Sequence, residues 1–208
     1  MFAITVFSLV ILLFSIIIHE IAHGSVALFL GDSTAKREGR LTLNPLKHLD
    51  LFGSIILPLF LLLATRGQGP IFGWAKPVPV NAYNLKDQKW GMIKVSLAGP
   101  AANFAVAILF GLVIRFIDLP QALLIPFTII TVYNFLWALF NLLPIPPLDG
   151  SHIIFSFFPR NRQWMDIKNF LYQYGTIILI FFIFFGIGFL SDIATTLFRL
   201  VAGASPLM

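Results

Sequence analysis

The sequence predicts an all-α polytopic membrane protein of about four transmembrane helices, with a short re-entrant or interfacial segment and a small membrane-associated β element. Hydrophobic residues make up 58% of the 208 residues and charged residues only 11%, with a mean hydropathy of +0.91. A soluble domain is typically about 25% charged, and a core of this size cannot bury so many apolar side chains. Several apolar runs are also long enough to cross about 30 Å of hydrocarbon.

The charged residues and the absence of cysteine narrow the possible functions. The net charge is +5, but lysine and arginine are spread through the loops beside apolar segments, as in membrane proteins. We therefore expect the lipid bilayer, and no nucleic acid, as a partner. Because the chain has no cysteine, any metal ion must be held by histidine, aspartate or glutamate.

The first half of the chain contains one clear span. Residues 2–30 are apolar over more than the length that a membrane requires. In the polar loop at 33–50, the stretch "REGRLTLN" alternates loosely and predicts a short strand or hairpin, the β element. Residues 51–65 are apolar but short and contain Pro58, which predicts a re-entrant or interfacial segment.

The second half contains three further spans. Glycine and proline are frequent at 66–82, which predicts a hairpin. The predicted spans then cover about 91–117, 121–143 and 170–190. The tail "SDIATTLFRLVAG" predicts a short amphipathic interfacial helix, and the whole chain, 1–208, is predicted to be a single membrane-embedded domain.

The basic residues favour one topology. If residues 51–65 do not cross the membrane, every basic loop lies on one side, and the turn at 118–120, which has no lysine or arginine, lies on the other. This distribution follows the positive-inside rule and predicts four spans with the N-terminus outside. If residues 51–65 do cross, the basic loops fall on both sides.

The stretch "IHEIAHG" at 18–24 places two imidazoles and a carboxylate inside the first span. Such groups are costly in lipid and mark function. His19 and His23 are four residues apart, so they share one helix face. With Glu20 they form H-E-x-x-H, in which the imidazoles hold zinc and the glutamate acts on water. The alternative is a polar face packed on a neighbouring helix or lining a cavity, which is disfavoured because these groups would lack partners.

A catalytic zinc site normally takes a third protein ligand. Most other acidic residues, and His48, lie in loops or near span ends, whereas Asp149 ends an apolar run in "NLLPIPPLDGSH". The prolines there prevent a regular helix, and a broken backbone at membrane depth is tolerated only in protein or beside water. Alternatively, Asp149 is the N-cap of a short helix at 150–158; both interpretations are compatible.

Three motifs, "HEIAH", "AGPAAN" and "NLLPIPPLDG", occur in this order and resemble the site-2 protease family of intramembrane zinc metalloproteases. "FGWAKPVPVN" at 72–81 resembles the small members without a PDZ domain. The resemblance implies that His19, His23 and Asp149 bind one zinc ion and that Glu20 is the catalytic acid and base. It also implies that the loop at 33–50 presents the substrate.

Further residues are candidates for catalysis or substrate binding. Asn141 could donate to a developing oxyanion near zinc, or support the proline-rich segment through a backbone bond. Asn103 could position the substrate, or make an interhelical hydrogen bond beside small residues. A strand edge in the first polar loop would hold an extended substrate, which makes three of its residues candidates for substrate binding: Arg40, Leu41 and Thr42.

The predicted function is hydrolysis of a peptide bond in the transmembrane segment of a membrane protein, by zinc-activated water with Glu20 as general base. The expected substrate has a single transmembrane helix, which must unwind locally. The expected location is the plasma membrane of a prokaryote. Two alternatives are a zinc transporter or channel, and an inactive relative that binds transmembrane helices.

Overall fold

The computed structural model describes residues 2–66, 75–159 and 161–203, which form helices joined by loops. The α-helices are α1 (Phe2–Phe29), α2 (Thr34–Arg37), α3 (Leu57–Ala64), α4 (Gln88–Phe116), α5 (Gln121–Asn141), α6 (Asp149–Phe155), α7 (Arg162–Phe185) and α8 (Ile187–Ala202). A π-helical stretch, Leu51–Ile56, leads directly into α3, and 3-10 turns lie at Pro45–Lys47 and Ala82–Asn84. The all-α prediction is confirmed.

Four helices, α1, α4, α5 and α7, are long and apolar enough to cross a membrane, which confirms the predicted number of spans. The last one differs from the prediction in its bounds, since α7 begins at Arg162 and ends at Phe185. It begins early because the Asn161 side chain accepts a hydrogen bond from the Trp164 amide and caps a polar first turn. The tail forms the separate helix α8.

The apolar segment after the first loop is helical but short. It runs from Leu51 to Ala64, and the side chains of Leu59, Phe60 and Leu63 on it are exposed. The Asp50 carboxylate accepts a hydrogen bond from the Gly53 amide and starts this helix. A helix of this length with an apolar surface fits a re-entrant or interfacial segment better than a complete span.

The predicted β element at 33–50 is wrong, because the structure describes this whole loop and it contains α2 and a 3-10 turn but no strand. Side-chain hydrogen bonds hold this loop, together with one backbone bond from the Lys76 amide to the His48 carbonyl oxygen. The buried Arg40 guanidinium donates to the carbonyl oxygens of Lys76 and Pro77, at 2.7 and 3.2 Å. His48 Nε2 lies 2.8 Å from the Thr42 carbonyl oxygen. Of the predicted hairpin at 66–82, residues 67–74 lie outside the described residues.

A buried carboxylate joins the end of α1 to the loop before α4. Asp32 is fully buried and accepts hydrogen bonds from the Asn81 amide at 2.6 Å and from Asn84 Nδ2 at 2.9 Å. The amide and hydroxyl of Thr34 donate to it as well. Burial alone would raise the pKa of Asp32, but these hydrogen bonds outweigh it and lower the pKa to about 2. Asp32 therefore holds both loops against the membrane helix as an ionised group.

The centre of the bundle is the packing of α1, α4 and α5. Every fourth residue of α4 is buried, and most of these residues are small, which lets neighbouring backbones approach closely; they are Gly91, Val95, Gly99, Asn103, Ala107 and Gly111. Helix α8 packs on α4 and α5 through a buried face of Leu190, Ala194, Phe198 and Ala202. In α7, by contrast, Gly175 is the single buried residue among those described.

Candidate active site

The structure brings His19, His23 and Asp149 together. Asp149 Oδ2 lies 3.0 Å from His19 Nε2 and 3.2 Å from His23 Nε2, although 130 residues separate Asp149 from His19 in sequence. One ligand atom from each of the three residues lies within 4.8 Å of the others. Both imidazoles are buried and the carboxylate is half-buried. The three side chains therefore converge on one point between α1 and the start of α6.

This arrangement fits a zinc ion. In a tetrahedral site with bonds of about 2.1 Å, two ligand atoms are separated by about 3.4 Å, close to the separations between Asp149 and the two imidazoles. The helix α4 leaves room at this point, because a Cβ atom added to Gly99 would lie 2.5 Å from Nε2 of both His19 and His23. Two imidazoles and one carboxylate are also a donor set that zinc uses in catalytic sites.

Outer hydrogen bonds determine which imidazole nitrogen faces the site. His19 Nδ1 lies 2.7 Å from Asn103 Oδ1, and His23 Nδ1 lies 2.6 Å from the Val95 carbonyl oxygen. Both partners are acceptors, so each Nδ1 carries the proton and donates it. Each Nε2 then keeps its lone pair and points it toward Asp149. Partners of this kind are typical around metal-binding histidines.

Asn103 lies inside the bundle beside His19. It is completely buried, and its Nδ2 donates to the Ser15 carbonyl oxygen at 3.0 Å and to Asn134 Oδ1 at 2.8 Å. Its Oδ1 accepts from His19, so its hydrogen-bonding groups are used inside the bundle. These contacts are the interhelical hydrogen bonds that the sequence offered as the alternative, and the substrate contact of Asn103 stays a prediction. The sequence analysis did not identify Asn134, although a polar amide within an apolar span indicates a role in packing or function.

Glu20 stands beside the three candidate ligands without joining them. Its Oε2 accepts a hydrogen bond from the Val78 amide at 2.6 Å. Val78 lies between Pro77 and Pro79, which have no amide hydrogen, so it is the one donor of this short segment. The bond holds one carboxylate oxygen and leaves the other for a second partner. The sequence analysis did not identify Val78, because its contact is made by a backbone amide that does not depend on the side chain.

The proline-rich segment turns back so that Asp149 reaches the imidazoles. Helix α6 starts at Asp149, and its N-cap is Leu148 without a side-chain hydrogen bond. The alternative that Asp149 is the N-cap is therefore wrong. Gly150 makes the turn possible, since a Cβ atom there would lie 2.2 Å from the Leu142 carbonyl oxygen. The Ser151 hydroxyl donates to the Leu148 carbonyl oxygen and closes the first turn.

The remaining predicted residues do not meet at this point. Asn141 Nδ2 donates to the Trp137 carbonyl oxygen at 2.9 Å, within its own helix. The side chains of Arg40 and Thr42 bond to backbone groups, Arg40 to residues 76 and 77 and Thr42 to the Asn44 amide. Leu41 comes nearest to the motif: a Cβ atom added to Gly24 would lie 2.6 Å from its Cδ2. The catalytic role of Asn141 and the substrate contacts of these loop residues stay predictions.

The chain is similar in sequence to known proteins, and these similarities identify its family. Residues 118–182, which include Asp149, match the sequence profile of peptidase family M50. The "Putative zinc metalloprotease YwhC" of Bacillus subtilis (strain 168) is 41% identical over 157 residues, covering 71% of this chain and 67% of that protein. The "Putative zinc metalloprotease Rip2" of Mycolicibacterium smegmatis is 38% identical over 146 residues, covering 66% of this chain and 52% of that protein.

The Rip2 protein of Mycobacterium tuberculosis (strain ATCC 25618 / H37Rv) is 36% identical over 140 residues, again covering 66% of this chain and 52% of the relative. The chain thus matches about two thirds of the Bacillus protein and about half of each mycobacterial one. No solved structure matches the chain. The order of the three motifs, the zinc-type ligand set and these similarities agree, and the chain belongs to peptidase family M50, the site-2 proteases.

Proposed function

We propose that this protein is a zinc metalloprotease that hydrolyses a peptide bond in the transmembrane segment of a membrane-protein substrate. The observation that carries the proposal is the position of Glu20. Its carboxylate is held by the Val78 amide next to two imidazoles and a carboxylate suited to zinc, yet it is not one of the three grouped ligands. A site that only binds or conducts a metal has no need of such a group, whereas hydrolysis needs a base.

Each residue of the site has a defined part in this proposal. His19, His23 and Asp149 would hold one zinc ion, with Asn103 and the Val95 carbonyl oxygen orienting the two imidazoles. When bound, zinc lowers the pKa of a water molecule and polarises a carbonyl group.

Glu20 would move the protons of the reaction. Its carboxylate oxygen that is free of the Val78 amide takes a proton from the attacking water and delivers it to the leaving amine. The hydrogen bond from Val78 holds the carboxylate in the orientation that both transfers require. Asn141 is proposed as an oxyanion donor, and its amide must leave the Trp137 carbonyl oxygen to take this role.

The depth of the site favours a substrate bond inside the membrane. His23 and His19 precede the end of α1 at Phe29 by six and ten residues, which places them about 9 and 15 Å along the helix from that end. A substrate helix must unwind at this depth, because its amides and carbonyl groups are otherwise paired within the helix. We propose a substrate with a single transmembrane helix for this reason.

The protein is a multi-pass integral membrane protein, and we propose the plasma membrane of a prokaryote as its location. The relatives named above come from bacteria. The basic loops would lie on the cytoplasmic side, with the N-terminus outside. In this orientation the metal site is nearer to the cytoplasmic surface, because it lies in the half of α1 that leads into the first basic loop.

A co-expression experiment tests the proposal. The chain is expressed with candidate single-span membrane proteins, as wild type, as Glu20→Gln and as Glu38→Gln. Glu38 is the matched control, because it is the other glutamate of the chain and is exposed. We expect cleavage products with wild type and Glu38→Gln, none with Glu20→Gln, and one zinc ion per chain in all three purified proteins.

The two alternatives give different results. A zinc transporter would keep its metal flux in Glu20→Gln, because that residue is outside the ligand group. An inactive helix-binding relative would contain zinc and bind the candidate helices without cleaving any of them. Cleavage by Glu20→Gln at the wild-type rate would contradict the proposed role of the carboxylate.

A further inference from the structure

A cavity of about 760 Å³ lies between the start of α4, the helix α6 and the start of α7. We call it the basic pocket. Its polar lining consists of Gln88, Lys89, His152, Ser156, Trp164 and Lys168. None of the three candidate zinc ligands lines it. The proposed proteolysis therefore leaves this cavity without a role.

The basic pocket is lined by two lysines, Lys89 and Lys168, that are not paired with a carboxylate of the described residues. Within residues 2–66, 75–159 and 161–203, neither Lys89 nor Lys168 forms an ion pair within 4.0 Å of a carboxylate oxygen. Asp87 and Asp166 lie close in sequence but do not line the pocket. Burial lowers the pKa of His152, so this imidazole is neutral at pH 7. The pocket thus has a charge of about +2 from its two lysines.

Aromatic side chains hold the two ammonium groups at the pocket. Lys89 Nζ lies 5.6 Å from the ring centre of Phe157 and 5.7 Å from that of Trp90. Lys168 Nζ lies 6.0 Å from the ring centre of Phe155. Cation–π contacts of this length restrict the lysines but satisfy none of their N–H donors. An anion can therefore bind both groups without first displacing a carboxylate.

The pocket also has an apolar wall and lies near the starts of two spanning helices. Its apolar lining includes Met92, Phe155, Phe158 and the ring of Tyr172. Lys89 is the second residue of α4, and Lys168 is the seventh of α7. Both are therefore within about 10 Å of the ends of spanning helices that face the basic loops. Basic pockets between membrane helices on the cytoplasmic side bind anionic lipid head groups.

We propose that the basic pocket binds an anionic phospholipid, with its phosphate between Lys89 and Lys168 and an acyl chain on the apolar wall. A free phosphate ion shares the first contact but not the second. The pocket is also close to the proposed metal site, because His152 lines it and lies three residues after Asp149 on α6. These residues are one helical turn apart, so a bound lipid contacts the helix that presents Asp149.

The test is a titration of the full chain in detergent with dioctanoyl phosphatidylglycerol, read by native mass spectrometry. Each lysine near a membrane surface contributes about 1 kcal/mol to the binding of anionic lipid, so Lys89→Gln/Lys168→Gln is expected to bind roughly thirty-fold more weakly than wild type. The matched control is Lys36→Gln/Lys47→Gln, which removes two exposed charges from the first basic loop. It is expected to bind like wild type. Equal binding by both double variants would overturn the proposal.

A second measurement needs no variant and so does not depend on the folding of one. Wild-type protein is acetylated in the presence of dioctanoyl phosphatidylglycerol, dioctanoyl phosphatidylcholine or inorganic phosphate, and the modified lysines are mapped. Phosphatidylglycerol is expected to protect Lys89 and Lys168 but not Lys36 or Lys47. Equal protection by the zwitterionic lipid would overturn the selectivity for anions. Equal protection by inorganic phosphate at the same concentration would show that the pocket binds a phosphate group without a lipid, and would overturn the proposal.

Discussion

His19 Nδ1 lies 2.7 Å from Asn103 Oδ1, so an amide in the middle of α4 determines which nitrogen of the first motif histidine faces the site. Asn103 is itself held in one orientation, because its Nδ2 donates to α1 through Ser15 and to α5 through Asn134. The three central helices therefore meet at one buried amide. This connection couples the packing of the bundle to the geometry of the proposed zinc site.

The first prediction concerns this amide. Asn103→Ala removes the acceptor that keeps the proton on His19 Nδ1, so Nε2 is no longer held as the free lone pair. Loss of such an outer partner typically weakens metal binding about 10- to 100-fold. We expect this range for the zinc dissociation constant, measured by competition with a chelator.

The control for this prediction is Asn134→Ala, which removes one partner of Asn103 but leaves the bond between Asn103 and His19 in place. We expect a smaller loss of zinc affinity. If Asn103→Ala binds zinc as tightly as wild type, the orientation of His19 does not depend on this hydrogen bond.

The second prediction uses the room that Gly99 leaves. A methyl group on Gly99 would lie 2.5 Å from Nε2 of both motif histidines, where the metal ion would bind. We expect Gly99→Ala to contain little zinc after purification and to show no proteolysis, with zinc content measured by atomic emission spectroscopy.

Gly111→Ala is a matched control on the same helix. A Cβ atom at Gly111 would meet Val201 Cγ1 at 2.8 Å, far from the histidines. This variant should lose stability through overpacking, about 1–3 kcal/mol, but keep its zinc. A full zinc content in Gly99→Ala would mean that the ion does not lie beside Gly99.

The third prediction concerns the support of Glu20 by Val78. Val78→Pro removes the amide hydrogen that binds Glu20 Oε2, and the chain there already tolerates proline on both sides. A positioned general base contributes about 10²–10⁴-fold to a rate. We expect a fall in kcat of at least about 10-fold, with zinc content unchanged.

Val78→Ala separates this effect from packing, because it keeps the amide while shortening a buried side chain. It should retain most of the activity. An equal loss of kcat in both variants would assign the effect to the side chain and remove the amide from the mechanism.

The fourth prediction follows from the lowered pKa of Asp32. The pKa is about 2 in the folded protein and 3.8 for an unperturbed aspartate. The ionised group thus contributes stability that is fully present above about pH 4 and is lost as the pH falls toward 2. We expect thermal unfolding temperatures of wild type and Asp32→Asn to differ at pH 6 and to converge near pH 2, with wild type the more stable at pH 6.

The control variant is Asp118→Asn, which changes an exposed carboxylate in the turn between α4 and α5. Its unfolding temperature should follow that of wild type at every pH. A constant difference between wild type and Asp32→Asn from pH 6 to pH 2 would show that the charge of Asp32 is not what stabilises the two loops.

The β element shows where local patterns were insufficient. The alternation in "REGRLTLN" predicts exposed and buried faces, but it does not say whether the backbone is paired by a strand or by side chains. The folded loop uses Arg40 and His48 for this purpose, and Arg40 reaches a segment 36 residues away. Pro77 and Pro79 in that segment remove the donors that a ladder would need.

The amino-acid sequence is sufficient to predict the spanning helices, the H-E-x-x-H motif and Asp149 as the candidate third ligand. These features depend on hydropathy, on spacing within one helix and on prolines that break another, all of which are local. Three relationships are visible only in the folded chain: Asn103 orients His19, Val78 holds Glu20, and Gly99 leaves room for an ion. Those relationships join residues 58 or more positions apart, and they follow from how the helices pack. Every residue except proline has the same backbone amide, and glycine has no side chain, so residue type does not indicate the partner of either.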